Sequence, residues 1–460
     1  MSATGPRVVV VGGGVSGLAT AYHLLRGNPS LGVTVLEASG SAGGKLATAR
    51  VGDLALESGP DAFVARKPWA VDLCRELGLE LIQPAARSAY VWTERGLLPL
   101  PSSALGIPCD VDEVARWPGL SRRGRARALA DLVRKSRPPD ADEAVGSLVR
   151  RRMGDEVAER LTGPLLGGLF AGDLDRLSVR ATFPELERWE RDFDGLIRGA
   201  KAAIKAAADA GPMFLRPREG VARLPGALVD AIGAEGILTD APAIAIERSG
   251  DAFSVVAGAG AFDAEAVVLA TPAFVSADLL HNSARKAASA LREIPYASTA
   301  VALLVYPPGS AGALPEATGF VVPRGRAPMT AATFLSRKWP DERFGTRAVI
   351  RCFVGAVGFE DVLEASDGDI VGALSRHLAA LLPLPDEPED SAVIRWPRSM
   401  PQYEVGHIER VEAIGSALPP GIFVTGNAYA GVGVADSVRG AGDTAARVRA
   451  HLSNLEERVR

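Results

Sequence analysis

The chain has 460 residues and carries 51 Lys and Arg against 55 Asp and Glu, a net charge of −4. That length allows two or three domains with a large core, and the near-balance of charge excludes a dedicated nucleic-acid binder. Cys74, Cys109 and Cys352 are too scattered for a metal site or a disulfide framework, and no apolar run of about 18 residues or signal peptide is visible, so a cytoplasmic setting is expected.

The first predicted element is a buried strand over Arg7–Val11. A glycine turn through Gly12, Gly13, Gly14, Val15, Ser16 and Gly17 then opens a helix. A second apolar run from Val33 ends on Glu37, with Ala38 next, and Glu37 lies 20 positions beyond Gly17 (37 minus 17). This is the spacing of a dinucleotide cradle. Gly12 permits the tight turn, Gly14 lets backbone approach a pyrophosphate, and Gly17 lets helix pack on strand. The helix start offers unpaired N–H groups and a positive dipole end to phosphates. Glu37 is placed to accept hydrogen bonds from ribose hydroxyls.

A nicotinamide domain would continue with alternating strands and helices. Here a second glycine pair, Gly43-Gly44, comes next with the cation Lys45 directly after it, then Glu57-Ser58-Gly59-Pro60-Asp61-Ala62. Residues from about 85 to 215 read as mostly helical, with Ala200 to Ala210 a solvated helix. Within that region Arg116, Arg122, Arg123, Arg125, Arg127, Arg134, Lys135 and Arg137 form a basic stretch that Pro138-Pro139 ends. A solvated helical face is the bland reading of it; contact with an anionic membrane or a partner protein is the sharper one. Strands return at Ala243–Glu247, Ala252–Val256 and Ala266–Ala270, and again at 296–306 and 347–357. Ile422–Val424 reads as a buried strand. It leads through Gly426 and Val432-Gly433-Val434-Ala435 into a helix from about Asp436 to Leu452. Such a helix start can aim N–H groups at a ring that gains negative charge.

The nucleotide domain is therefore discontinuous. The expected division is a first part over 1–70, a helical insertion with part of the substrate domain over 71–215, a second nucleotide part over 216–290, the substrate domain over 291–400, and a C-terminal nucleotide part over 401–460. The fold class is α/β: a Rossmann-like domain, a mixed-sheet substrate domain and a largely helical insertion. His23, His281, His377, His407 and His451 are scattered without metal-ligand spacing, so no metal site is expected. No catalytic triad or dyad stands out.

The glycine pair after Glu37 resembles the flavin-binding pattern of the amine oxidase superfamily. More specific segments resemble one branch of it, the oxygen-dependent protoporphyrinogen and coproporphyrinogen oxidases. These are Glu57–Phe63 with Arg66-Lys67, Arg151–Val157, Pro164–Gly168, Phe170–Asp173, Gly220–Pro225, and Trp396 with Pro401-Gln402-Tyr403 and Gly406-His407. Two departures stand out: Ala435-Asp436-Ser437 where many relatives have proline-aspartate-cysteine, and Lys45 where relatives often have arginine.

The resemblance implies FAD held by Gly12–Gly17, Glu37, Ala38, Gly44, Lys45, Gly59–Ala62, Trp396, Gly426 and Val432–Ala435. It implies porphyrinogen oxidation by hydride transfer from a bridging carbon, six electrons in all, with oxygen as acceptor and hydrogen peroxide as product. Lys67 is its first choice for a substrate carboxylate. Arg66 stands beside it, and Arg337-Lys338 is a second candidate pair. Coproporphyrinogen III, in heme biosynthesis, is preferred to protoporphyrinogen IX. The rivals are another amine-oxidase-superfamily enzyme and a flavin-bound protein without catalysis. Contact with a membrane surface or a heme-pathway enzyme is left open.

Overall fold

Two parallel strands start the fold. β1 (Arg7–Val11) pairs in register with β2 (Gly32–Leu36), Val9 beside Thr34, and helix α1 (Val15–Gly27) connects them. Four successive valines in β1 are buried because both faces of the sheet are covered, Val8 and Val10 by α1 and the C-terminal helix, Val9 and Val11 largely by an antiparallel meander. The computed structural model describes residues 5–207, 211–250 and 252–459. Ala208–Ala210, the end of the expected alanine-rich helix, lie outside these residues.

The sheet is completed from remote parts of the chain. Ile237–Leu238 pairs with β2, Ala266–Leu269 with β1, and Ile422–Val424 with Ala266–Leu269, all parallel. A three-stranded antiparallel meander over Ala243–Ser249, Ala252–Ala257 and Gly260–Ala264 sits beside it. The C-terminal helix, Val434–Val459, buries Ala441, Ala445 and Val448 next to α1. Small residues on that face let the two helix backbones approach closely.

A mixed seven-stranded sheet forms the second layer. Its order is Asp390–Pro401, Tyr296–Val305, Val349–Val354, Ala331–Phe334, Gly319–Val321, Tyr90–Thr93, Gly96–Pro99. The last two strands depart from the helical expectation for 85–215, and helices begin only at Val111. Tyr90–Thr93 forms a local hairpin with Gly96–Pro99 and pairs on its other edge with Gly319–Val321, more than 200 residues away. One face of this sheet packs under the helix Asp367–Ala379, with Phe320, Phe334, Ile350 and Cys352 buried there. The other face looks toward the nucleotide domain, where Leu303 and Val349 meet Leu54 and Leu56.

The helical region from Val111 to Ala206 has its own core around Leu148, Val149, Leu161 and Leu186. It includes a ten-residue π-helix, Ala158–Gly167, with Pro164 inside it. Proline lacks the N–H that regular α-helical pairing needs, and π-helical turns are frequent at functional sites.

Candidate active site

The glycine turn behaves as its spacing predicts, each glycine for a different reason. Gly12 adopts φ +106, and a Cβ there would lie 2.9 Å from the carbonyl oxygen of Ala270. A Cβ on Gly17 would lie 1.9 Å from the carbonyl oxygen of Gly12, so only glycine lets α1 sit on β1. Gly14 is different. Its backbone is extended (φ −72, ψ 175), and the nearest heavy atom to an added Cβ is the Gly44 Cα, 4.0 Å away. Nothing within the protein requires glycine at 14. The face of Gly14 is left open, as the approach of a phosphate to the backbone N–H groups would need.

The surroundings agree. Gly14 is the N-cap of α1 and supplies no side-chain cap to the helix N–H groups. Glu37 holds the loop from below: its carboxylate accepts from the Gly13 N–H at 2.7 Å and from the backbone and hydroxyl of Ser39 at 2.9 and 2.7 Å. Gly43 donates its N–H to the Gly13 carbonyl at 2.8 Å, which lays the second glycine pair against the first turn. The Lys45 ammonium donates to the Ser399 carbonyl at 2.7 Å. Burial pushes its pKa down to about 8. With no carboxylate paired to it among the described residues, this cation is suited to an anionic ligand.

Gly59 and Pro60 lie where the two layers meet. The Gly59 carbonyl accepts from Arg351 at 2.8 Å, and the Ser58 carbonyl accepts from the Trp396 indole at 2.9 Å. Asp61 points away from the cradle. It accepts from Lys338 at 3.0 and 3.1 Å and from the Trp339 indole at 3.0 Å, and it pairs with Arg351 at 3.1 Å. Burial alone would raise its pKa, but Arg351, Lys338 and the Trp339 N–H hold the carboxyl well below the usual range. This buried cluster fastens the substrate sheet to the nucleotide domain.

The C-terminal glycine segment closes the site. Gly426 and Gly431 take φ +121 and +129. Val432 packs near the helical core, and Gly433 leads directly into the C-terminal helix at Val434-Ala435. Asp436, in the first helical turn, receives both bonds of the Lys67 ammonium, at 2.6 and 2.8 Å.

Comparison with known proteins decides the class. The family model for flavin containing amine oxidoreductase matches residues 15–449. The chain belongs to the flavin containing amine oxidoreductases. This flavin enzyme is 33% identical to the coproporphyrinogen III oxidase of Bacillus subtilis, over 94% of its own length and 95% of the relative's. It is 30% identical to a chloroplastic protoporphyrinogen oxidase of Oryza sativa subsp. japonica, covering 98% and 90% of the two chains. A solved structure titled as a putative protoporphyrinogen oxidase from Exiguobacterium sp. 255-15 superposes with a TM-score of 0.88 at 31% identity, over 97% of this chain and 99% of that one. The flavin oxidoreductase is thus an enzyme with FAD as its cofactor, as the cradle predicts.

The predicted substrate cations separate. Arg337 and Lys338 are each engaged by other groups of the protein. Arg337 donates to the carbonyls of Ala311 and Leu314, both at 3.0 Å, and pairs with Glu316, while Lys338 is committed to Asp61. Their short helix, Leu335–Lys338, turns these cations onto neighbouring protein groups. Lys67 is paired with Asp436. Arg66 is exposed, and no carboxylate lies within 4 Å of it among the described residues.

Much of the basic stretch is also structural. Arg127 donates to the carbonyls of Arg150, Arg151 and Arg152, and Arg134 to that of Arg151, capping the end of the helix Val145–Met153. Arg125 donates to the Trp117 carbonyl at 3.0 Å. Leu129 and Leu132 pack on the helical core, whereas Val133 is 84% exposed.

Two features escaped the sequence. Arg398 takes left-handed φ +45, and its guanidinium lies 3.7 Å over the Phe274 ring. It sits beside Ser399, the acceptor for Lys45. A bulge in a paired strand decides this conformation, and only the pairing partner shows it. The π-helix left only its Gly/Pro content as a signal.

Proposed function

We propose that this enzyme oxidises coproporphyrinogen III to coproporphyrin III in heme biosynthesis. The observation that carries the reading is the relatedness to coproporphyrinogen III oxidases along almost the whole chain, through the helical region and the substrate sheet as well as the cradle.

The cross-strand row Val321, Ala331, Phe353, Val301 and Ile394 supports it. These residues share the sheet face toward the nucleotide domain, and all but Val301 are half-buried. A flat apolar wall of this kind suits a large macrocycle. FAD, when bound, supplies the two-electron acceptor chemistry. The chain's own residues cradle the pyrophosphate at Gly12–Gly14, place the Lys45 ammonium beside the Ser399 carbonyl, and set the start of the C-terminal helix. Of the two neighbouring cations we assign a substrate carboxylate to Arg66, with Lys67 fixing Asp436. Oxygen is proposed as the final acceptor, with hydrogen peroxide as product. Among the described residues no helix is long and apolar enough to cross a membrane, and we place the enzyme in the cytoplasm, with membrane contact at most peripheral.

The test is porphyrin fluorescence under air with each porphyrinogen, alongside peroxide yield. Faster use of coproporphyrinogen III supports the proposal. Turnover of protoporphyrinogen IX alone overturns the substrate choice in favour of the second reading, which the rice relative's name favours. Turnover of neither overturns both.

A further inference from the structure

Tyr403 is 1% exposed, and its phenol sits behind the C-terminal glycine segment. The Oη donates to the Asn427 carbonyl at 2.8 Å and accepts from the Gly431 N–H at 2.8 Å. These two bonds span the turn that precedes the C-terminal helix. A Cβ on Gly431 would lie 2.5 Å from the Cβ of Asp436, so the turn is drawn tight against the first helical turn.

Tyr403 is itself fixed from other directions. Its ring stacks on His407, with centroids 3.9 Å apart and planes 14° apart, and tilts against Phe170 at 5.6 Å. Its carbonyl accepts from the Ser178 N–H at 2.8 Å. The adjacent Gln402 side chain donates to the Phe170 carbonyl at 2.8 Å. Burial raises the Tyr403 pKa, which keeps the phenol protonated and the sense of both bonds fixed.

We propose that Tyr403 is a positioning residue: it holds the Gly426–Gly433 turn and the start of the helix Val434–Val459 against the flavin, and so tunes the preference for reduced over oxidised flavin. The partial positive charge at a helix start falls off within one turn. A small retreat of that turn therefore weakens stabilisation of negative charge on the reduced ring. Without the hydroxyl, the part-buried Asn427 carbonyl and Gly431 N–H lose their partner, at a cost that grows as solvent is excluded from them. The turn relieves that cost by shifting.

The test is Tyr403→Phe in the FAD-loaded protein, which keeps the ring and its stacking. We expect the flavin midpoint potential to fall by about 30 mV or more, which is a tenfold loss of preference for the reduced form in a two-electron couple. The visible flavin bands should shift with it. A lower melting temperature with unchanged potential and bands would mean a merely structural role and overturn the proposal. If the variant fails to fold, hydrogen exchange on the native protein serves instead. The Gly431 amide should exchange at least a hundredfold more slowly than an unbonded loop amide, and free exchange would overturn the proposal.

Discussion

Replacing Gly14 with valine separates a glycine needed by the fold from one needed by a ligand. The added Cβ meets nothing closer than 4.0 Å, and the extended backbone at 14 suits a β-branched residue. In the apoprotein the poorer N-cap costs a few tenths to about 1 kcal/mol, and the smaller conformational freedom of the unfolded chain offsets about 0.4–1 kcal/mol of that. Apoprotein melting should therefore move by no more than about 3 °C. The cofactor is affected far more. The valine methyls occupy the space through which pyrophosphate reaches the helix N–H groups. Losing two charge-assisted hydrogen bonds, at about 1.5–3 kcal/mol each, weakens FAD by roughly a hundredfold to ten-thousandfold. Gly17→Ala should do the reverse. Its Cβ would lie 1.9 Å from the Gly12 carbonyl oxygen, so the helix must lift from the strand at a cost of about 1–3 kcal/mol or more. Scanning fluorimetry of the apoproteins and FAD titration by fluorescence quenching measure both quantities. A Gly14→Val protein that binds FAD within threefold of the parent, or melts as low as Gly17→Ala, would refute the reasoning.

Other perturbations probe the same site from different sides. Asp61→Ala should destabilise the protein by about 3–5 kcal/mol, because it strands Lys338 and Arg351 in the interior without their partner; a chemical-denaturation loss under 1 kcal/mol would contradict this. The buried His407 has a folded pKa lowered by burial to about 4, below the unfolded value near 6.5. Its contribution is thus fully present above about pH 6.5 and is lost on acidification toward pH 4, by at most about 1.4 kcal/mol per pH unit. His407→Phe should flatten that slope in denaturation curves across this range. Lys45 should make FAD affinity fall as pH rises through about 8, since the apoprotein loses the proton there and an anionic cofactor retains it; Lys45→Arg should abolish the dependence in FAD titrations. Arg66→Ala should raise KM about tenfold or more with the flavin spectrum unchanged; unaltered KM would remove Arg66 from the substrate side.

Local pattern was enough for the cradle because each of its constraints is short-range. A run of valines, a glycine turn, a helix start and an acid 20 positions on sit within one βαβ unit. The C-terminal strand, glycine turn and helix were legible for the same reason. The substrate cations were not. Lys67, Lys338 and Arg337 read alike as polar residues in sequence, but each charge takes its role from what the fold brings opposite it. Asp436 reaches Lys67 across 369 residues, and Asp61 reaches Lys338 across 277. The same holds for Arg125, Arg127 and Arg134, whose acceptors are backbone carbonyls on neighbouring elements. The sequence by itself determined the dinucleotide cradle, since glycine sterics and hydrophobic period act over a few residues, and the flavin class through the resemblance of its motifs to the amine oxidase superfamily. Tertiary structure alone decided which cations are free, which are buried in pairs, and which tyrosine holds the final turn, because a charge or a hydroxyl is satisfied by whatever lies nearest in space.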